Sequence, residues 1–184
     1  MTHASTLTHS ADITAPARTL TAQALTPSAF SAFGEVVEHQ GEQRRHFLPG
    51  TTAYPAHAGQ PSLWVSRIEQ ALAAPVRITT LERHTRSPQT FIPLTNTPAL
   101  IVVAPSLPNG LPDTENMQAF LASGSQGVCY APGVWHHGLT PLQAPAQFVV
   151  TMAKVGDGHD DEFLTLPDAV VVSWKPETLA SLTP

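Results

Sequence analysis

The sequence predicts an all-β barrel or jelly-roll protein with two or three small helices. Its 18 prolines and 11 glycines recur between short apolar runs, a spacing typical of short strands joined by tight turns. The apolar runs are rich in β-branched and aromatic residues, which favour strands. A length of 184 residues with 42% hydrophobic content suits one domain with a substantial core. We therefore expect a single domain over residues 19–184, preceded by a disordered tail at residues 1–18.

Charge and cysteine content limit the possible partners. The chain has 14 acidic and 9 basic residues, and no cluster of Lys and Arg of the kind that neutralises phosphates. We therefore expect a small-molecule substrate, with neither nucleic acid nor a membrane as partner. No stretch approaches the ~20 apolar residues of a membrane-spanning helix. Cys129 is the only cysteine, which rules out an intrachain disulfide and a Cys-based zinc cluster, and the cytoplasm is the expected compartment.

The first elements are a short strand and a compact helix. Residues 19–26 (TLTAQALT) have strand character, and residues 26–34 (TPSAFSAFG) follow the rules for a short helix. Thr26 is suited to cap it, Pro27 to occupy its first position and Gly34 to close its C-terminus.

Most of the chain beyond this helix is predicted to form strands. The strands are expected at residues 34–40, 63–70, 75–84, 89–94, 98–105, 127–133, 134–139, 146–155 and 169–174. Residues 40–61 are polar and rich in Pro and Gly, and a loop of this length is either functional or a plain surface excursion.

One helix is predicted to interrupt the strands, at residues 113–124 (DTENMQAFLASG). Asp113 or Thr114 would cap it and Gly124 would end it. Its apolar face would consist of Met117, Phe120 and Leu121.

Reactive side chains concentrate first in residues 81–94 (LERHTRSPQTFIPL). Alternate residues of a strand point the same way, so Glu82 and His84 share one face and Arg83 lies on the other. A turn follows, and Gln89 returns on the next strand beside them. The segment therefore predicts a cluster of a carboxylate, an imidazole and an amide.

The second concentration is in residues 127–139 (GVCYAPGVWHHGL). A Pro-Gly turn leads into an outgoing strand that carries His136, with His137 on the opposite face. Trp135 stands between the turn and the histidines, where we expect it to form a wall of the pocket.

These two segments resemble the paired motifs of cupin metal sites. The first cupin motif reads His-x-His followed by Glu, and the second reads Pro-x-Gly-x-x-His or a close variant. Glu82, His84 and Gln89 occupy the three positions of the first, and His136 occupies the histidine of the second. The resemblance implies a cupin-type double-stranded β-helix, or jelly-roll barrel, with these four residues as the ligands if a metal is bound.

A narrower resemblance is to the ureidoglycolate lyase family, also called ureidoglycolate hydrolase. The matching stretches are AFSAFGEVVE (29–38), LERH (81–84), QTFIPL (89–94), QAFLASGSQGVCY (118–130) and GVWHHGL (133–139). The resemblance implies cleavage of (S)-ureidoglycolate to glyoxylate and urea in allantoin and purine catabolism. It also implies a homodimer, since cupins commonly dimerise.

The implied reaction needs a base for the substrate hydroxyl, an acid for the departing nitrogen and a cation for the carboxylate. His84 and His136 suit the acid–base work, because neutral imidazole exchanges a proton near pH 7. Glu82 would orient a histidine or act as the base itself.

Substrate binding is assigned to the remaining polar and aromatic candidates. Gln89 can donate to the substrate, and Arg67 and Lys154 are candidates for its carboxylate, which the fork of an arginine matches best. Trp135 is the fourth candidate.

The sequence leaves several alternatives open. A reaction without a required cofactor is favoured, but carboxylate, amide and imidazole ligands would also suit a divalent Ni, Mn, Zn or Fe ion. A metal-dependent cupin oxidoreductase or isomerase acting on a small organic acid is the second hypothesis, and a non-catalytic cupin that binds a sugar or other small ligand is the third.

An amidohydrolase reaction would yield ammonia and carbon dioxide instead of urea. The lyase is favoured, because no nucleophile or two-metal motif for amide hydrolysis is evident.

Overall fold

The computed structural model describes residues 18–182, which form twelve strands and two short helices. The strands are β1 (Thr19–Ala24), β2 (Gly34–Val37), β3 (Gln60–Ile68), β4 (Val76–Arg83), β5 (Gln89–Pro93), β6 (Ala99–Ala104), β7 (Gln118–Ala122), β8 (Gly127–Tyr130), β9 (Trp135–His136), β10 (Thr140–Pro141), β11 (Ala146–Lys154) and β12 (Glu162–Trp174). The helices are α1 (Pro27–Phe30) and α2 (Pro176–Ala180). The all-β prediction is confirmed.

The strands form a closed barrel with a second sheet beside it. Six strands close the barrel in the order β6-β7-β1-β12-β4-β9, with β9 pairing back onto β6 and β10 extending one edge. The second sheet has five strands in the order β2-β8-β5-β11-β3. The barrel is mixed, because β1 runs parallel to both β7 and β12. The arrangement agrees with the predicted cupin jelly roll.

Strands β6 and β7 form a wall that is buried on both sides. Along β6, Ala99, Ile101 and Val103 face the core between the barrel and the five-stranded sheet. The alternate residues Leu100, Val102 and Ala104 face the core inside the barrel. This double burial explains why the strand is apolar at every position instead of alternating with polar residues.

The segment predicted as a helix at 113–124 is a turn followed by a strand, so that prediction is wrong. Asp113 does cap a short 3-10 turn, Thr114–Asn116, by accepting a hydrogen bond from the Asn116 amide. The chain then extends as β7, which pairs with β6 and β1. A strand that is buried on both faces has apolar residues at helical as well as strand spacing, so its sequence fits either structure. The segment is a strand because it pairs with β6 along one edge and with β1 along the other.

Helix α1 has the predicted start but ends earlier than expected. The Thr26 hydroxyl accepts a hydrogen bond from the Ala29 amide, and Pro27 opens the helix. Gly34 begins β2 instead of closing the helix. Its φ of 144° and the closeness of the Cys129 carbonyl, 1.9 Å from where a Cβ would stand, both require glycine.

The connections also differ in detail from the prediction. The 40–61 loop contains two 3-10 turns, Pro49–Thr52 and Ala56–Ala58, before β3 begins at Gln60. Strand β12 is longer than expected because it continues through a bulge between Thr165 and Val170. None of the helices between residues 18 and 182 is long and apolar enough to cross a membrane.

The expected tail at residues 1–18 lies outside the described part of the chain, except for Arg18. The Arg18 carbonyl accepts a hydrogen bond of 2.8 Å from the Val171 amide, and its guanidinium bonds to the carbonyls of Thr114 and Glu115. Arg18 therefore belongs to the folded body. The single-domain assignment for residues 19–184 stays a prediction.

Phe120 should be among the residues on which stability depends most. Its ring is fully buried and packs on Phe30 and Phe33 at centroid distances of 5.8 and 6.3 Å. We expect Phe120→Ala to lower the free energy of unfolding by about 3–5 kcal/mol, because it removes buried surface and leaves a cavity. Urea denaturation measures this, with Phe47→Ala as the control, since Phe47 is 77% exposed. Equal midpoints for the two variants would contradict the assignment of this core.

Candidate active site

A cleft of about 260 Å³ opens between the five-stranded sheet and the barrel. Strands β3, β5 and β11 form one side of it, and the end of β4 forms the other. The lining residues that carry polar groups are Ser66, Glu82, His84, Gln89, Lys154 and Asp161. Trp64, Ile68, Phe91, Leu139 and Met152 supply the apolar walls. The cleft therefore combines acid, base, amide and ammonium groups in one small space.

Glu82 and His136 are brought together by strand register. They are directly opposite each other where β4 pairs with β9, so their side chains project from the same face. The Glu82 Oε1 atom lies 3.5 Å from His136 Nε2. His136 is 1% exposed and lies behind Glu82, beneath the floor of the cleft.

The next inward-facing residue after Glu82 is His84, one position beyond the end of β4. Its Nδ1 atom lies 3.0 Å from Asp161 Oδ1 and 3.3 Å from the Asp160 carbonyl oxygen. Arg83, between them, points the other way and forms an ion pair of 2.7 Å with Glu162. The predicted alternation along this segment is confirmed.

The His136 ring is fixed by two contacts. Its Nδ1 lies 3.1 Å from the Val134 carbonyl oxygen, and the ring stacks on Tyr130 with centroids 4.0 Å apart and planes 14° apart. The His84 and His136 rings are neighbours, with centroids 5.3 Å apart. Both imidazoles are therefore held in one orientation.

Three buried polar atoms at the site have no hydrogen-bond partner within residues 18–182. They are His84 Nε2, His136 Nε2 and Gln89 Oε1. Because Nδ1 of each ring faces an acceptor oxygen, the hydrogen of the neutral ring is on Nδ1 and the lone pair is on Nε2. Buried polar atoms are rarely left without partners, so this arrangement indicates a site for a ligand.

The same atoms fit a cation. One ligand atom each from Glu82, His84 and His136 can be chosen so that all three lie within 4.8 Å of one another. Imidazole with carboxylate is a donor set that suits Ni, Mn, Fe or Zn, and the Gln89 amide oxygen would add a fourth ligand. Three of the four residues that the sequence predicts as ligands of a bound metal therefore lie close enough together to share one ion.

The electrostatics of the site favour a charged Glu82 and a neutral His84. Burial raises the pKa of Glu82, but the neighbouring His136, His84 and His137 outweigh it and hold that pKa below its usual value. Burial lowers the pKa of His84, and the positive charge of a protonated His136 would lower it further, against the opposing influence of the Asp160 carbonyl, Glu82 and Asp161. At neutral pH the cleft therefore contains a carboxylate beside an imidazole with a free lone pair.

Lys154 and Asp161 form the mouth of the cleft. The Lys154 Nζ atom lies 3.6 Å from Asp161 Oδ2 and 5.6 Å from the centre of the Trp64 ring. Both side chains of the ion pair are 36% exposed, so solvent and ligands can reach them. Lys154 is the only Lys or Arg among the described residues that line the cleft.

Comparison with known proteins gives a consistent result. The family model described as ureidoglycolate lyase matches residues 17–173. The chain belongs to the ureidoglycolate lyase family. A ureidoglycolate lyase of Burkholderia mallei is 37% identical over 162 residues, covering 83% of this chain and 92% of the relative. One from Azotobacter vinelandii is 37% identical over 158 residues, covering 79% and 92%. One from Brucella ovis is 40% identical over 140 residues, covering 72% and 81%.

In this ureidoglycolate lyase family member, five of the predicted site residues come together. Glu82, His84, Gln89 and Lys154 line the cleft, and His136 lies directly behind it. The cupin motif positions identified in the sequence are thus close in space.

Arg67 and Trp135 are placed elsewhere by the structure. Arg67 points away from the cleft on β3, is mostly exposed and pairs with Glu69 at 2.6 Å. Trp135 enters the core inside the barrel, where its Nε1 donates to the Gly110 carbonyl at 3.0 Å and Arg83 stacks on its ring. Neither side chain is positioned to wall the pocket or to meet a substrate carboxylate there.

Some contributors to the site were not anticipated from the sequence. Asp161 contacts His84, Tyr130 stacks on His136, and Trp64 and Ser66 line the cleft from β3. The alternation of β3 placed Trp64 and Ser66 opposite Arg67, but the sequence did not show which face was inward. Asp161 immediately precedes β12, which pairs with the LERH segment, but in this region the sequence predicts a strand only at 169–174 and so gave no signal for it.

Proposed function

We propose that this protein is a ureidoglycolate lyase, which breaks the carbon–nitrogen bond of (S)-ureidoglycolate to release glyoxylate and urea. The observation that carries the proposal is the pair of lone-pair Nε2 atoms on the neighbouring His84 and His136 rings, beside the Glu82 carboxylate. Family membership supplies the substrate class, and these groups supply the two proton transfers that the reaction needs.

The reaction moves one proton from the substrate hydroxyl to the departing urea nitrogen, and His84 carries it. His84 Nε2 takes the proton of the substrate hydroxyl, and the oxygen forms the carbonyl of glyoxylate as the carbon–nitrogen bond breaks. The electron pair of that bond goes to the urea nitrogen, which receives the same proton back from His84 Nε2, while the nearby Glu82 carboxylate stabilises the positive charge that the His84 ring carries in between. His84 is neutral again at the end of the cycle, and no net proton is taken up or released.

Binding of the substrate carboxylate is assigned to Lys154. Its ammonium group is the positive charge at the mouth, and the half-exposed ion pair with Asp161 leaves it accessible. Gln89 presents its amide toward the interior, where its Nε2 atom contacts the Met152 sulfur at 3.4 Å and its Oε1 atom has no partner in the described chain. The amide oxygen suits a donor such as the ureido N–H.

Lyase chemistry is better supported than amide hydrolysis. A hydrolase of the nucleophilic type would need an activated side chain near the ureido carbonyl. Cys129 is 2% exposed and does not line the cleft, and burial raises the pKa of its thiol to about 11. The buried thiol therefore stays protonated at neutral pH, and proton transfer without a nucleophile fits the groups that are present.

A divalent cation is the main competing account of the same site, and the unpartnered Nε2 atoms support it. A bound Ni, Mn, Zn or Fe ion would lower the pKa of the substrate hydroxyl and polarise the carbonyl that forms. His84, His136, Glu82 and Gln89 would hold it. We propose that no cofactor is required, which a chelation experiment tests.

We also propose that the protein is a homodimer joined through β3. This strand is nine residues long and lies at the edge of its sheet, with no strand pairing along its outer side in the described residues. Its outward-facing Leu63 and Val65 are 68% and 54% exposed, and Val65 adjoins Val149 and Ile92 in one row. A long apolar edge strand has unpaired backbone N–H and C=O groups that favour pairing with another strand. The β3 strand of a second copy, related by two-fold symmetry, can pair with it in antiparallel orientation.

The cytoplasmic location and the role in allantoin and purine catabolism remain proposals of the same kind. Both are supported by the family to which the chain belongs. Cell fractionation and growth on allantoin as nitrogen source would test them. The exclusion of nucleic acid and membranes as partners also stays a prediction from charge.

The lyase assignment predicts release of urea and glyoxylate in equal amounts from ureidoglycolate, above the spontaneous rate. We expect His84→Ala to lower kcat by about 10²–10⁴-fold, because it removes the positioned base. His57→Ala is the matched control, since His57 is exposed on the loop before β3, and it should keep full activity. Formation of ammonia and carbon dioxide in place of urea would identify an amidohydrolase, and absence of turnover would refute the lyase.

Removal of metal should leave the activity in place if the acid–base account is right. We expect protein dialysed against a strong chelator to retain its kcat/KM in chelated buffer. The comparison is the same protein after addition of Ni, Mn, Zn or Fe. Loss of activity on chelation, with recovery on adding one of these ions, would show that the cation account is correct.

The dimer proposal predicts a mass in solution of about twice the 19.6 kDa of one chain. We expect the double variant Leu63→Lys, Val65→Lys to be monomeric, because it places charges on the outward face of the edge strand. Light scattering after gel filtration measures both. The control is Leu107→Lys, Leu111→Lys, which alters exposed leucines away from β3 and should stay dimeric. A monomeric wild type, or a dimeric β3 variant, would overturn the proposal.

A further inference from the structure

The groups around His84 differ at its two ring nitrogens. On the Nε2 side are Glu82 and the neighbouring His136 ring, and Nε2 has no hydrogen-bond partner in the described chain. On the Nδ1 side are the Asp161 carboxylate at 3.0 Å and the Asp160 carbonyl oxygen at 3.3 Å. Nδ1 therefore has a hydrogen bond to the Asp160 carbonyl and, at a shorter distance, the negative charge of Asp161.

Strand register explains how Asp161 reaches this place. Glu162 is paired with Arg83 where β12 runs antiparallel to β4. One step further along the same register brings Asp161 opposite His84. An Asp at this position therefore faces the imidazole as a direct result of the barrel ladder.

The loop that precedes Asp161 is pinned in place. The two carboxylate oxygens of Asp160 each accept a hydrogen bond of 2.8 Å, from the amides of Val155 and Gly156. Arg86 lies 3.1 Å from Asp157 on the same loop. Asp160 thus holds the loop closed, and the neighbouring Asp161 is left free to turn toward the cleft.

We propose that Asp161 is the positioning residue of His84: its negative charge, 3.0 Å from Nδ1, favours the hydrogen on that nitrogen, so that the Nε2 lone pair is the one directed into the cleft. This inference deepens the proposed function, because it rests on His84 being the base. A carboxylate behind an imidazole fixes its tautomer and stabilises the charge that the ring gains when it takes a proton. The Asp160 carbonyl oxygen is the hydrogen-bond partner of Nδ1, and the Asp161 carboxylate adds its charge on the same side of the ring.

The direct test is the tautomer of His84 in protein labelled with [¹⁵N]histidine, free of substrate and treated with chelator. Long-range ¹H–¹⁵N spectra distinguish Nδ1–H from Nε2–H, and the His84 signals are identified by their loss in His84→Ala. We expect Nδ1–H in the wild type. In Asp161→Asn, whose amide nitrogen can donate to Nδ1, we expect an Nε2–H population to appear, and Asp161→Ala should show a smaller one.

Kinetics provide the second measurement. We expect Asp161→Asn to lower kcat about 10–100-fold, with little change in KM, as for other groups that orient a reactive histidine. The matched control is Asp157→Asn, on the same loop, whose carboxylate contacts Arg86 and the His159 amide. It should retain both the wild-type tautomer and the wild-type kcat.

The two proposals can fail separately. An unchanged His84 tautomer in Asp161→Asn would overturn the positioning role even if the wild type is an active lyase. A raised KM with an unchanged tautomer would also overturn it. That result would indicate that Asp161 acts on substrate binding through its ion pair with Lys154. If the wild type has no lyase activity, the proposed function fails, while the tautomer measurement still decides the role of Asp161.

Discussion

Strand β9, only two residues long, closes the barrel and also places a reactive side chain. Its first residue, Trp135, fills the core inside the barrel, and its second, His136, projects toward the cleft. The strand pairs with β4 on one side and with β6 on the other. Because adjacent residues of a strand point to opposite faces, the packing that seals the barrel also sets the direction of the imidazole.

The outer face of β4 reinforces the same arrangement. Arg83 pairs with Glu162, donates to the Gly110 carbonyl at 2.7 Å and lies over the Trp135 ring. It thereby links β4, β12 and the strand that closes the barrel. With Arg83 held outward, its neighbours Glu82 and His84 are directed inward. The rigid side of the cleft is thus built from barrel strands, and the loop before β12 supplies only its rim.

Local pattern was enough to predict the class of fold and the cluster of motif residues, but not the choice between helix and strand at residues 118–122. Strand alternation and the turn before Gln89 placed Glu82, His84 and Gln89 together correctly. Strand β7 was mistaken for a helix because a segment buried on both faces has no single periodicity. The pairing on both its edges is a long-range interaction that no local window contains.

The positions of Trp135 and Asp161 also show what local sequence pattern does not predict. Trp135 and His136 are adjacent, so only one of them can face the cleft from a strand, and this rule alone argued against assigning both to the site. Asp161 is separated from His84 by most of the second half of the chain, and it reaches the imidazole because it directly precedes β12, which pairs with β4 up to Glu162 and Arg83. Contacts that depend on such distant pairing are the ones that sequence reasoning missed.

Under the proposed function, the charges in the cleft bear on how a substrate anion would bind. Glu82, whose pKa is held down by the surrounding histidines, makes the interior negative, and Lys154 provides a positive charge at the mouth. A substrate carboxylate would therefore be repelled from the floor, and at the rim it would bind Lys154 in exchange for that residue's contact with Asp161. His84, whose pKa burial lowers, lines the same cleft. Acid–base catalysis at one carbon requires neighbouring groups in different protonation states, and the cleft combines a charged carboxylate with a neutral imidazole.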